Sequence, residues 1–342
     1  MVIDSNKIDA LNKLLDGASC ISIITHPNPD GDAVGSSIGM YQFLRSMGKE
    51  VYSIVPNSFP EFLAWMEGAD KCLNYEQKPD EVVNALEKSQ LIFCVDFNAI
   101  SRLNGLGGVV QKLVAPKVLI DHHLLPEDVF AVQFSDSTVS STSELVYHLI
   151  NEMGLKSKLT KGAAEALYTG IMTDTGSFSY ASSNPRTFEV VADLLSLNIN
   201  KDKIHQAVYN TFSEERMRLM GFCLSEKMVV MKEYKTAYIA LTIKDLNKFR
   251  YRSGDTEGIV NLPLSIKDVN VSVLFTEQVD GTIKLSLRSQ GEFSVNEFSR
   301  RYFNGGGHKN AAGGRVEMKL PELISYFENC VKENATEIIK SI

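Results

Sequence analysis

The stretch Cys20-Ile21-Ser22-Ile23-Ile24-Thr25-His26-Pro27-Asn28-Pro29-Asp30-Gly31-Asp32 sets the pattern for the first half of the chain. Residues 20–25 form a short apolar, β-branched run, the composition of a strand. A polar, turn-forming loop follows, and residues 35–47 repeat with helical spacing. Strand, loop and helix then recur. Residues 91–97 and 117–120 read as further buried strands separated by helical segments, and residues 163–173 read as a helix stopping at Asp174-Thr175-Gly176. Apolar runs alternating with amphipathic helices predict an α/β fold, a mostly parallel sheet flanked by helices.

Beyond about residue 212 the texture changes. Residues 238–243, 269–275 and 282–289 are strand-like, and Asp280-Gly281 is a hairpin signal between the last two. Ser294 with Glu297 makes a capping-box pattern that opens a helix over 295–303. The glycine run Gly305-Gly306-Gly307-His308 comes next. A length of 342 residues exceeds what one core usually serves. The expected organisation is a first domain over 1–190, a helical linker over 191–212, and a second, smaller α/β domain over 213–342.

Composition narrows the function classes. Hydrophobic residues make up 44% and charged residues 23%, an ordinary globular balance. The five cysteines (Cys20, Cys72, Cys94, Cys223, Cys330) lack the spacing of a zinc or redox motif. With no signal-like N-terminus and no apolar run long enough to span a bilayer, the expectation is a cytoplasmic protein without a membrane partner. The net charge of −7 argues against a grip on long duplex nucleic acid, which demands a basic face. Short, locally held phosphate substrates fit better.

Four clusters carry the chemistry. His26, Asp30 and Asp32 follow the first strand, Asp96 ends the second, Asp121-His122-His123 ends the third, and Asp174 closes a helix. Taken singly, an Asp after a strand is a turn former or a helix cap, and Asp30 and Asp32 suit that role. Together they are three of the six histidines and five aspartates at equivalent ends of the fold, where open α/β sheets gather their ligand sites. So many carboxylates cannot all ionise cheaply at close range, and a metal site resolves the conflict. Imidazole and carboxylate without thiolate suit manganese, with magnesium, iron, cobalt and zinc as alternatives. Gly31 and Gly35 do not make a dinucleotide-binding loop, no P-loop follows, and neither a His-Glu-x-x-His nor a Gly-x-Ser-x-Gly motif is present.

These motifs resemble those of the DHH phosphoesterase superfamily. Asp121-His122-His123 is similar to its signature, and His26-x-x-x-Asp30-x-Asp32, Val95-Asp96 and Thr173-Asp174-Thr175 match the other three motifs in order. Gly305-Gly306-Gly307-His308 with Ala311-Ala312-Gly313 resembles the DHH-associated C-terminal domain. The resemblance covers nearly the whole chain and is nearest to the nanoRNase and pAp phosphatase group, also called exopolyphosphatase-related. It implies two divalent ions: one held by His26, Asp30 and Asp96, the other by Asp32, Asp96, His122 and Asp174, with Asp96 shared. It implies that Asp121 orients His122 and that His123 faces the substrate phosphate as an electrophilic contact or proton donor. Two cations about 3.5–4 Å apart can activate a shared water for in-line attack on phosphorus.

In the second domain, residues 282–289 alternate Ile283, Leu285 and Leu287 against Lys284, Ser286 and Arg288. Arg288-Ser289 falls at the substrate-binding position of the associated domain, and an arginine fork suits phosphate oxygens. The glycine run exceeds what a helix stop needs. Gly305, Gly306 and Gly307 let backbone N–H groups approach an anion, with His308 and Lys309 adding charge. The expected activity is exonucleolytic cleavage of short oligoribonucleotides and dephosphorylation of nucleoside bisphosphates such as pAp. Rivals are a linear or cyclic dinucleotide phosphodiesterase, an exopolyphosphatase or pyrophosphatase, and a nucleotide-binding sensor without turnover. A homodimer is one assembly the sequence leaves open.

Overall fold

Burial on both faces turns the apolar runs into central strands, as every residue of Cys20–Ile24 and Leu91–Val95 shows in the computed structural model, which describes residues 4–341. The chain divides into two units, Met1–Thr211 and Phe212–Ile342. The first runs α1 (Ser5–Gly17), β1 (Cys20–Ile24), α2 (Gly31–Ser46), β2 (Glu50–Val55), β3 (Leu73–Asn74), α3 (Pro79–Lys88), β4 (Leu91–Val95), α4 (Gly105–Val110), β5 (Lys117–Asp121) and β6 (Val132–Ser135). It ends with α5 (Thr142–Glu152), α6 (Lys161–Asp174), α7 (Pro185–Leu195) and α8 (Lys201–Tyr209).

The six strands are all parallel, in the order β3-β2-β1-β4-β5-β6. Alternation along β4 sends Leu91, Phe93 and Val95 into a core shared with α1, α2, α5 and α6, and Ile92 and Cys94 into one shared with α3 and α4. Both faces are covered, as continuous apolar strands require. The strand order reverses between β1 and β4, so the loops after them open at a topological switch point. Those loops carry His26, Asp30 and Asp96.

Two expectations need correction. Residues 191–212 are helical, but they form no linker. Val191, Leu194, Ile199, Ile204 and Val208 are buried in the first unit's core, because α7 and α8 each carry an apolar stripe that needs a partner. Helix α2 also begins at Gly31 rather than at residue 35, because the Asp30 side chain caps it.

Close packing of α2 on α6 is what brings the site's helices together. A Cβ on Gly35 would lie 2.6 Å from Ala166 O and 2.8 Å from Gly170 N. On Gly39 it would lie 2.5 Å from Leu167 Cδ2. The four-residue spacing of Gly31, Gly35 and Gly39 lays a bare stripe along one face of α2.

The second unit holds α9 (Glu214–Phe222), β7 (Met228–Met231), β8 (Thr236–Leu241), α10 (Ile243–Lys248), β9 (Val271–Glu277), β10 (Ile283–Ser289), α11 (Val295–Tyr302), β11 (Gly306–His308), β12 (Ala311–Val316), α12 (Leu320–Glu333) and α13 (Ala335–Ile339). Its sheet runs β11-β12-β10-β9-β8-β7, antiparallel except for β8 beside β9. Asp280-Gly281 does lie in the β9–β10 hairpin, with Gly281 at φ 83°. Ser294 caps α11, its hydroxyl accepting from Glu297 N at 3.2 Å. The cysteines are all free, and burial pushes the Cys94 thiol up to about 12, consistent with a small core hydrophobe. Among the described residues, no helix is long and apolar enough to cross a membrane.

Candidate metal centre

The loop after β1 presents His26 and Asp30. His26 Nδ1 lies 2.9 Å from Pro27 O. A carbonyl can only accept, so Nδ1 carries the proton and Nε2 offers its lone pair in the neutral ring. That Nε2 faces Asp96 Oδ2 at 3.4 Å and Asp30 Oδ1 at 4.0 Å. Asp30 also caps α2, its Oδ1 accepting from Asp32 N at 3.0 Å and Ala33 N at 3.1 Å. Burial works against its ionisation, but His26 and the two amides outweigh it and hold the carboxyl below its usual range.

Asp32, on the first turn of α2, meets a second helix head-on. Thr142 N donates to its Oδ2 at 2.6 Å and Ser143 N to its Oδ1 at 2.9 Å. The amino end of α5 thus points two orphan N–H groups at this carboxylate. Even so, burial, with Asp30 nearby, pushes Asp32 up to about 7. Asp96 follows β4 in left-handed backbone, φ 64°, a conformation that Asp tolerates better than most residues. Its Oδ1 accepts from Thr142 Oγ1 at 2.9 Å and lies 3.6 Å from His122 Nε2, while Oδ2 faces His26. Burial and the carboxylates of Asp32, Asp30, Asp174 and Asp121 push Asp96 well above the ordinary value.

His122 hydrogen-bonds the Val139 backbone, and burial holds its ring below the usual value. Its Nε2 lies 3.7 Å from Asp32 Oδ2 and 3.5 Å from Asp174 Oδ2, at the last residue of α6. Donor atoms of His26, Asp30 and Asp96 lie within 4.8 Å of one another, and so do those of Asp32, His122 and Asp174. The two oxygens of Asp96 look into both groups. Acceptor faces acceptor throughout, an arrangement that a proton or a cation resolves. With oxygen and nitrogen donors only, the set suits a hard or borderline divalent ion, and the residues fit that role.

Asp121 Oδ1 lies 2.7 Å from His123 Nδ1, and its charge also bears on the His122 ring. Strand β5 ends at Asp121 and the chain bends at His123, whose ring meets the Asp121 carboxylate. Burial pushes Asp121 up, and burial together with the positive charges of His122 and Arg102 holds His123 well below its usual value.

Sequence reading missed the floor of this site. Ser141 caps α5, accepting from Glu144 N at 3.0 Å. Buried Glu144 accepts from Ser140 N at 3.0 Å and Thr187 Oγ1 at 2.9 Å, with His148 at 3.4 Å. Burial would raise its carboxyl, but these partners hold it below the usual range. The Ser141-x-x-Glu144 spacing is a helix-start signal, and it fixes the turn whose amides and hydroxyl grip Asp32 and Asp96.

In the second unit the glycine run is an edge strand rather than an open loop, because Gly306–His308 pairs with β12. Gly307 sits at φ 144°, and a Cβ on Gly305 would lie 1.9 Å from Gly313 O. Arg288 is half-buried, with Nη1 donating to Leu287 O at 3.0 Å. Alternation turns Ser289 to the opposite face, where its hydroxyl donates to Phe293 O at 2.7 Å. Lys309 pairs with Glu292 at 2.6 Å, so its charge is partly spoken for. His308 is half-buried at the end of β11.

Comparison with known proteins agrees with this architecture. Residues 20–171 match the DHH family, N-terminal domain, and residues 234–333 match the DHHA1 domain. The chain is 28% identical over 320 residues to the "Bifunctional oligoribonuclease and PAP phosphatase NrnA" of Thermus thermophilus, covering 92% of this chain and 90% of that one. It is 30% identical to the "Uncharacterized protein MG371 homolog" of Mycoplasma pneumoniae, with 95% and 96% covered. An exopolyphosphatase-related protein from Bacteroides fragilis superposes with a TM-score of 0.93 at 44% identity, covering 98% of each chain. Motif order, two-domain architecture and full-length similarity agree: this chain belongs to the DHH family, with a DHH domain followed by a DHHA1 domain.

Proposed function

We propose that the protein is a cytoplasmic, metal-dependent phosphoesterase that degrades short oligoribonucleotides and removes phosphate from nucleoside bisphosphates such as pAp. The observation that carries this reading is Asp96, one carboxylate facing two clusters of imidazole and carboxylate donors. The Thermus thermophilus relative is named for both activities. His26, Asp30 and Asp96 would hold one divalent ion, and Asp32, Asp96, His122 and Asp174 the other, with manganese the best match to these donors. Bound there, the ions supply Lewis acidity at phosphorus and charge to receive an anion.

The chain's own residues do the rest. Asp121 fixes the proton of His123 on Nδ1, so Nε2 accepts a proton when the ring is neutral and donates one when it is charged. The α5 amides hold Asp32, and Thr142 Oγ1 holds Asp96, so neither carboxylate has to reorganise when substrate arrives. Arg288 and the backbone of Gly305–Gly307 would offer phosphate oxygens a second set of donors, within the second unit.

The test strips the protein with chelator, restores manganese and supplies dinucleotide, five-nucleotide RNA, pAp, cyclic dinucleotide and polyphosphate. Manganese-dependent hydrolysis of the short RNAs and pAp is expected. Full activity after complete metal removal would overturn the reading, as would turnover of polyphosphate alone.

A further inference from the structure

Arg102 lies on the 3-10 turn Ile100–Leu103, six residues after Asp96. Its side chain is exposed, and its Nη1 donates to the neutral Asn98 Oδ1 at 3.2 Å. Among the described residues it has no ion-pair partner, so its other donors remain available. The Asn98 amide that holds Nη1 also bonds the carbonyl of Leu124, the residue after His123. Most arginines beside buried carboxylates pair with one; this one does not.

Its setting is built. Asn98 Nδ2 donates to Leu124 O at 2.6 Å and more weakly to Leu125 O at 3.4 Å, while Asn98 O accepts from Glu127 N at 2.8 Å. Glu127 reaches back, accepting from Ile100 N at 2.9 Å and Ser101 Oγ at 3.0 Å. The segment behind Asp96 and the segment behind His123 are therefore stitched from both sides, and the stitch fixes where Arg102 stands. A planar fork with free donors, held beside an acidic centre yet not neutralised by it, suits an anion that arrives from outside. A phosphate oxygen has the matching charge and geometry.

We propose that Arg102 contacts a phosphate oxygen of the substrate at the metal centre, and that Asn98 and Glu127 are its positioning residues. This inference rests on the phosphoesterase reading above. The experiment uses the manganese-loaded full chain with pAp and a fluorescent dinucleotide, and measures AMP binding and manganese binding separately by calorimetry. Arg102→Ala raises KM and weakens AMP about 10- to 100-fold, the range for a hydrogen bond to a charged group. Arg102→Lys keeps the charge without the fork and falls between. Asn98→Ala has a smaller effect that vanishes in the Arg102→Ala background, as for a residue acting through the arginine. Manganese affinity stays level or tightens, since a positive charge has left the neighbourhood.

Wild-type KM and AMP affinity in Arg102→Ala would overturn the proposal. So would a parallel loss of manganese binding and melting temperature, which would make the arginine a scaffold. If the wild-type protein hydrolyses neither substrate, the phosphoesterase reading fails instead; AMP binding then decides Arg102 alone, equal affinity in wild type and variant, or none in either, counting against it.

Discussion

The two units handle their polar side chains differently. In the first, five aspartates and three histidines converge from four segments, where they meet backbone amides, hydroxyls and each other. In the second, the polar residues around the glycine strand are largely settled: Lys309 on Glu292, Ser289 on Phe293 O, Arg288 partly on its own backbone. A cluster that cannot neutralise itself needs a cation, and that is a signature of chemistry. A cluster that nearly does can hold an anion but offers little to drive a reaction. Under the proposed function, turnover would belong to the first unit and grip to the second.

The widest separation should come from the first unit. Asp96→Asn removes the carboxylate shared by both donor groups and should abolish measurable turnover together with manganese binding. His123→Ala should lower kcat by about 10²–10⁴-fold while manganese binding survives, the usual range for a lost proton-transfer group. Unchanged turnover in His123→Ala would remove it from the proton path. A subtler break is Thr142→Val, which deletes only the hydroxyl bond to Asp96. Calorimetry and initial rates should show a 10- to 100-fold loss (about that of other residues that orient a metal ligand), with the fold intact. Smallest, and confined to the other unit, Arg288→Ala should weaken capture by about 1.5–3 kcal/mol, seen in kcat/KM through KM with kcat unchanged. A fall in kcat instead would erase the division between the units.

Much of this was legible in the chain because it is local. Continuous apolar runs marked β1, β4 and β5, and the acids stood just beyond them, so a parallel sheet and a site at its strand ends followed. Strands with mixed or short sequence were not found: β2 contains Tyr52 and Ser53, β3 spans two residues and β6 four. The 191–212 segment reads as a linker because its apolar stripe shows that it packs somewhere, not on which core. Asp121 meets His123 and Ser289 meets Phe293 O, partners that a chain's order of residues does not name. The turn at Ser141–Glu144 carried a readable helix-start signal, but nothing local said that its amides would meet Asp32, more than a hundred residues earlier. Those meetings are properties of packing, which a one-dimensional pattern records only indirectly.

The bare stripe on α2 has a consequence for how this site can be lost. Gly35 bears no charge, donates nothing to an ion and would escape any survey of reactive groups. Yet a methyl there is a wedge, driven against the Ala166 carbonyl and the Gly170 backbone. Prising α2 from α6 carries Asp32 one way and Asp174 the other, so activity can vanish through a residue that never touches the substrate. Inheritance of function in such a fold is guarded as much by what the helices leave out as by the acids they display.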